Sequence, residues 1–238
     1  MLKPVGTALI TGAARRLGRA MALHLASKGY DIALHCHHSR DQAEALLPLI
    51  ESFARTGRIF TADLSDSHQS EGLIQTVAEV FPNLSLLIHN ASVYQPLTFA
   101  NTTPADWDTL YALHVKTPFF LTQAFARYCQ QGLVICLTDA QAPRPDYFAY
   151  SLSKQNLTDF TRLAARALGP QIRVNAIAPG HVLPPVSGNP DPGAILSQVL
   201  PLARTGDPED ITRALQVFLD NPYLTGQTLY VDGGQHLL

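Results

Sequence analysis

The sequence predicts an α/β protein built on a doubly wound parallel sheet, and three observations carry that prediction. Its 238 residues suit one domain, residues 1–238, with a large buried core. Short apolar runs alternate with longer amphipathic stretches from end to end. The runs are continuously apolar, as strands covered on both faces by crossover helices require.

Taken in order, the predicted strands are Thr7–Thr11, Ile32–His37, Ile59–Ala62, Leu84–His89, Leu133–Thr138, Val174–Ala178 and Thr228–Val231. The stretches between them with helical patterning include Leu17–Lys28, Asp41–Arg55, Gln69–Val80, Trp107–Gln130 and Phe148–Leu168. One segment, His181–Pro208, breaks the rhythm with six of the chain's 17 prolines and with Gly188, Gly193 and Gly206. Because it follows the carboxyl end of a strand, where open α/β sheets bind ligands, it is read as a substrate lid rather than a plain connection.

Composition excludes several classes. Charged residues are 15% and hydrophobic residues 46%, a globular balance, and the net charge of -2 comes without a basic block, so no nucleic-acid partner is expected. No apolar run approaches the ~18 residues of a membrane span and the N-terminus has no signal-peptide pattern, so no membrane partner is expected. Cys36, Cys129 and Cys136 are odd in number and lack C-x-x-C spacing, which points to reduced thiols and a cytoplasmic location.

The first strand runs into Thr11-Gly12-Ala13-Ala14-Arg15-Arg16-Leu17-Gly18 and then a helix. Glycines let backbone approach a pyrophosphate, and a helix N-terminus presents free N–H groups and partial positive charge. This strand–turn–helix context makes a Rossmann-type dinucleotide site the reading for Gly12, Arg15, Arg16, Leu17 and Gly18. The second strand ends in His35-Cys36-His37-His38-Ser39-Arg40, with no acid to bind a ribose 2′-hydroxyl. Arg15 or Arg16, with His37, His38 and Ser39, suits a 2′-phosphate, so NADP(H) is favoured over NAD(H). A metal site at the histidines is disfavoured because no further ligand set with zinc spacing appears, and His35 is read as packed. Asp63, with Leu64 beside it, either contacts the adenine or opens a helix. Asn90, Ala91 and Ser92 lie at the end of the fourth strand, under the cofactor.

Tyr150 and Lys154 stand at i and i+4, so they share a helix face. A neighbouring ammonium favours the phenolate and brings the Tyr150 pKa down towards the range useful for general acid catalysis.

In order and spacing, the Thr11–Gly18 turn, Asp63, Asn90-Ala91, Tyr150/Lys154, Pro179-Gly180, Thr225-Gly226-Gln227 and Val231-Asp232-Gly233-Gly234 resemble the short-chain dehydrogenase/reductase family over essentially the whole chain. The departures resemble its pteridine reductase and dihydromonapterin reductase branch: Arg16 at a usual glycine, Asp139 at the usual serine and His114 at the usual asparagine. The resemblance implies that NADPH supplies hydride, that Lys154 binds the nicotinamide ribose and that Pro179 and Gly180 line the cofactor. It implies an aromatic at Tyr94 stacking on a pterin, and a homotetramer or homodimer pairing Trp107–Gln130 and Phe148–Leu168 between subunits.

Asp139 is a poor oxyanion partner but a good acceptor for the amino and ring N–H groups of a pterin, or a relay to Tyr150. This argues for a C=N bond in a nitrogen heterocycle, with Arg16, Ser92, Tyr94, Asp139 and Tyr150 around it; solvent-facing Asp139 and rim-placed Tyr94 are the plain alternatives. His114 either holds a water that reprotonates Lys154 or satisfies a core backbone carbonyl. The expectation is an NADPH-dependent dihydropterin reductase. The alternatives are a ketone or 3-oxoacyl reductase of the same fold and a non-catalytic NADP(H)-binding protein.

Overall fold

The computed structural model describes residues 3–141, 143–185 and 191–238; of the predicted lid, residues 186–190 lie outside this set. Seven strands form one parallel sheet: β1 (Thr7–Ile10), β2 (Asp31–Cys36), β3 (Gly57–Thr61), β4 (Leu84–His89), β5 (Gly132–Leu137), β6 (Ile172–Pro179) and β7 (Thr228–Val231). Their order is β3-β2-β1-β4-β5-β6-β7, so the winding reverses between β1 and β4. That reversal opens a crevice at the carboxyl ends of the central strands.

The continuous apolar runs have the cause the sequence implied. In β1, Ile10 joins the core on one sheet face and Leu9 the core on the other, and both are fully buried. One face is covered by α1 (Arg16–Ser27) and α9 (Pro208–Asp220), the other by α4 (Ser67–Val80), α6 (Thr117–Tyr128) and α7 (Phe148–Leu168). The α9 helix falls outside the stretches singled out from sequence. It is opened by an Asp207 capping box and buries Ile211, Leu215 and Phe218 at helical spacing.

Two predicted helices are interrupted, both at proline. The Asp41–Arg55 stretch is split into α2 (Arg40–Glu44) and α3 (Leu47–Ser52), because Pro48 lacks an N–H for the Glu44 carbonyl. The Trp107–Gln130 stretch becomes α5 (Pro104–Tyr111), a π-helical turn at Ala112–Lys116, then α6. Pro118 offers no N–H to the His114 carbonyl, so the i→i−4 ladder cannot continue there and the chain widens.

The predicted lid begins at the end of β6 and contains α8 (Gly193–Val199). Among the described residues no helix is long and apolar enough to cross a membrane. Cys36, Cys129 and Cys136 are free and buried.

Candidate active site

The glycine turn is built as a cradle. Gly12 has φ +64, and a Cβ there would lie 3.1 Å from Ala91 Cα. A Cβ on Gly18 would lie 2.3 Å from the Gly12 carbonyl oxygen, so Gly18 admits no side chain and Gly12 would take one only with strain. Asn90 pins the turn across the reversal: its Nδ2 donates to the carbonyls of Thr11 (2.8 Å) and Gly12 (3.0 Å). The N–H groups of Asn90 and Ala91 both donate to Thr11 Oγ1. The residue before α1, Arg15, makes no side-chain cap and the first turn carries no acid, so among the described residues no side chain caps the helix N–H groups. Exposed Arg15 stands beside them. A dinucleotide pyrophosphate fits this arrangement.

His35 is not merely packed. Its Nδ1 accepts from the Gly12 N–H (3.2 Å), and its Nε2–H donates to the Ala62 carbonyl (3.0 Å), so one imidazole ties the turn to the end of β3. A polar residue inside an otherwise apolar strand needs such partners, and that is the signal the sequence carried. Burial pushes the His35 pKa down to about 4.

Around the end of β2, the rings of His37 and His38 lie 3.5 Å apart, with His37 Nδ1 4.0 Å from Asp63. Asp63 Oδ1 accepts from the N–H (2.9 Å) and hydroxyl (2.7 Å) of Ser65, a turn preceding α4, and these bonds hold its carboxyl below the usual range. Leu64 is buried and its carbonyl accepts from Thr117. Ser39 precedes α2 without capping it.

Arg16 differs most from expectation. It adopts φ +53, the left-handed region that favours glycine, and its guanidinium donates to the carbonyls of Pro184 (2.8 Å) and Leu183 (3.3 Å). The side chain therefore clasps the base of the predicted lid. At the same strand end, Gly180 leaves no room for a Cβ, which would sit 2.7 Å from Asp232 Cα, and Pro179 accepts from the Ala140 N–H.

At the centre, Tyr150 donates to Asp139 Oδ2 at 2.7 Å, and Asp139 Oδ1 accepts from the Gln141 N–H at 2.7 Å. Asp139 therefore faces the tyrosine, not solvent. Both groups line a cleft of about 460 Å³ together with Tyr94, Tyr147 and Lys154. Burial raises the Asp139 pKa. Burial, then the Asp139 charge and its hydrogen bond, raise that of Tyr150 well above its ordinary value. The expected lowering of the Tyr150 pKa by Lys154 is not found: Lys154 Nζ donates to the Leu137 carbonyl (2.9 Å) and lies 5.8 Å from the tyrosine ring centre. The proximate charge at the phenol is the carboxylate, which favours the protonated form. Burial lowers Lys154 itself to about 8.

His114 sits in the π-helical turn. Its Nε2 accepts from the Val93 N–H (3.3 Å) and meets Ser92 Oγ (3.0 Å); its Nδ1 meets Ser153 Oγ (2.8 Å). An amide N–H only donates, so Nε2 carries no proton and Nδ1–H donates to Ser153, whose hydroxyl donates to the Tyr150 carbonyl. Burial drives its pKa well down, so the imidazole stays neutral. It satisfies a backbone N–H rather than the carbonyl expected, and joins the segment after β4 to α7.

Tyr94 stands at the mouth, stacked face to face on Tyr147 (centroids 4.3 Å apart) and edge-on to Tyr150 (4.9 Å). Tyr147, Gln141 and Arg144 were not singled out from sequence. Only their place between a strand end and the tyrosine helix pointed to them.

A parallel sheet with a glycine cradle at its winding reversal and a buried tyrosine–lysine helix beside it defines a dinucleotide-dependent oxidoreductase fold. A family model described as enoyl-(acyl carrier protein) reductase matches residues 12–236, and the chain belongs to the short-chain dehydrogenase/reductase family. An uncharacterized oxidoreductase of Mycobacterium tuberculosis is 35% identical over 240 residues, covering 95% of this chain and 90% of that protein. A 3-oxoacyl-[acyl-carrier-protein] reductase of Synechocystis is 29% identical over 236 residues, covering 95% of each. Among solved structures, FolM alternative dihydrofolate reductase 1 from Brucella canis, complexed with NADP, superposes with a TM-score of 0.93 at 36% identity, covering 100% of this chain and 96% of that one.

Proposed function

We propose that this protein is an NADPH-dependent reductase of a dihydropterin, acting on dihydromonapterin, a dihydrobiopterin-like compound or dihydrofolate. The observation that carries the reading is the hydrogen bond from Tyr150 to Asp139, where a ketone reductase would place a serine. The likeness to an NADP-bound alternative dihydrofolate reductase at 36% identity supports it. When bound, the nicotinamide supplies hydride.

The chain's own residues supply the rest. The uncapped start of α1, with Arg15, holds the pyrophosphate. His37, His38 and Ser39 receive the 2′-phosphate, while Leu17 and Leu64 bound the adenosine half with Asp63. Lys154, charged below about pH 8, takes the nicotinamide ribose. Pro179 and Gly180 flank the nicotinamide, and Asn90, Ala91 and Ser92 run beneath it.

Asp139 accepts from the amino and ring N–H groups of the pterin, which frees the Tyr150 hydroxyl to donate its proton to the reduced ring. After the product leaves, Asp139, whose pKa burial raises, takes up a proton from solvent and passes it to the Tyr150 oxygen. Arg16 and Ser92 border the acceptor. NADPH oxidation with dihydropterins tests the reading, and absence of turnover with every pterin ends it.

The second reading is a 3-oxoacyl or other ketone reductase, favoured by relatives of that description at 29% identity. An Asp139→Ser variant that gains ketone activity from a pterin-inactive wild type would support it.

A further inference from the structure

One wall of the cleft includes Tyr94, Tyr147 and Arg144, and of these only Tyr94 has been given a place at the acceptor. Tyr94 and Tyr147 are parallel within 16°, yet Tyr94 is 47% exposed on a connecting segment. Stacking alone is too weak to hold an exposed ring in one orientation. Arg144 supplies the constraint. Its guanidinium carbon lies 4.5 Å from the centre of the Tyr147 ring, and Nη1 donates to the Tyr94 hydroxyl (3.3 Å) and to Gln141 Oε1 (3.0 Å). Nε and Nη2 form a two-point pair with the Asp146 carboxylate. The Arg144 N–H donates to Ser151 Oγ in the first turn of α7, the helix that carries Tyr150. A guanidinium engaged on these sides is a brace, not a free cation awaiting an anionic ligand.

We propose that Arg144 is a positioning residue that fixes the Tyr94–Tyr147 pair as a platform, so that the site selects flat aromatic acceptors over flexible aliphatic ones. Tyr147 covers one face of Tyr94, and a flat ring entering the cleft continues the stack on the other. The inference rests on the proposed function only for the place of the reacting bond beside Tyr150. Selection by flatness does not require the acceptor to be a pterin.

The test compares wild type with Arg144→Met and Asp146→Asn. Biopterin fluorescence gives a binding constant in the presence of NADP+. NADPH oxidation gives kcat and KM for dihydrobiopterin, for isatin as a flat ketone and for ethyl acetoacetate as an aliphatic one. Arg144→Met is expected to weaken biopterin binding and raise KM for the flat acceptors about tenfold, with kcat at saturation within about twofold of wild type. KM for ethyl acetoacetate stays unchanged, and Asp146→Asn moves the same constants less. The inference is overturned if KM for flat and aliphatic acceptors move together, or if only kcat falls. Wild type that neither binds biopterin nor reduces dihydrobiopterin removes the pterin reading alone, and isatin against ethyl acetoacetate then decides. Wild type with no preference for isatin overturns the platform itself.

Discussion

At Tyr150 the useful proton is held between a phenol and a carboxylate. In a family member with serine at position 139, the hydroxyl both donates and accepts; Asp139, when ionised, only accepts. Loss of the phenol oxygen in Tyr150→Phe is expected to lower kcat by about 10²–10⁴-fold while NADPH binding is retained, measured by steady-state kinetics and nucleotide titration. Lys154 sets the alkaline limit. Its pKa is lowered to about 8 by burial, so it is charged below that pH and loses its charge as pH rises through it. The pH profile of kcat/KM is therefore expected to fall above about pH 8. A profile flat to pH 10 would contradict a charged Lys154 in the reaction. Tyr150 and Lys154 were legible as a pair because a helix brings i and i+4 together. Their electrostatics were not, because Asp139 is brought to the phenol only by the end of β5, eleven residues away in sequence.

Among the elements, the strands were the most legible, since continuous apolar runs have one explanation in a sheet covered on both faces. The helix interruptions were less so: Pro48 and Pro118 sit inside good amphipathic patterns, and the second of them produces the π-helical turn that directs His114 inward. The clasp from Arg16 to Leu183 and Pro184 spans more than 160 residues and leaves no local trace. Arg16→Gly removes both the clasp and a side chain at φ +53. It is expected to leave global stability unchanged or higher by up to about 1 kcal/mol, while amide exchange across residues 181–185 quickens. Unchanged exchange there would show that the clasp does not hold this segment. In α9, Phe218 is 1% exposed in the core, and Phe218→Ala is expected to cost about 3–5 kcal/mol in chemical denaturation.

Over the whole molecule, three buried histidines couple folding to acid, His114 among them with its pKa driven well below the ordinary value by burial. Burial depresses His35 to about 4 and His89 to about 3, both below the ordinary 6.5. Protons therefore bind the unfolded chain first as pH falls. Stability from these groups is complete above about pH 6.5 and is lost progressively towards pH 3–4. The Tm is expected to fall over that window, and His89→Gln, which keeps a hydrogen-bonding group for Thr122, to shallow the fall. The family resemblance implies that the helical stretches Trp107–Gln130 and Phe148–Leu168, which include α6 and α7, pair between subunits. Phe119 and Leu163 on these helices are 49% and 69% exposed, so light scattering is expected to give two or four chains rather than one. The sheet and its crevice followed from pattern and spacing. The partners of His35, the clasp at Arg16 and the brace at Arg144 did not, because hydrogen bonds across long sequence separations have no periodicity to read.

The central claim is that the tyrosine–aspartate pair serves reduction of a pterin ring. The most direct measurement is NADPH oxidation by the purified protein with dihydromonapterin or dihydrobiopterin, beside the Asp139→Ser variant. Wild type is expected to show turnover that saturates with the pterin and is largely lost in Asp139→Ser. Turnover of ketones but of no pterin by wild type, or undiminished pterin turnover by Asp139→Ser, would contradict it.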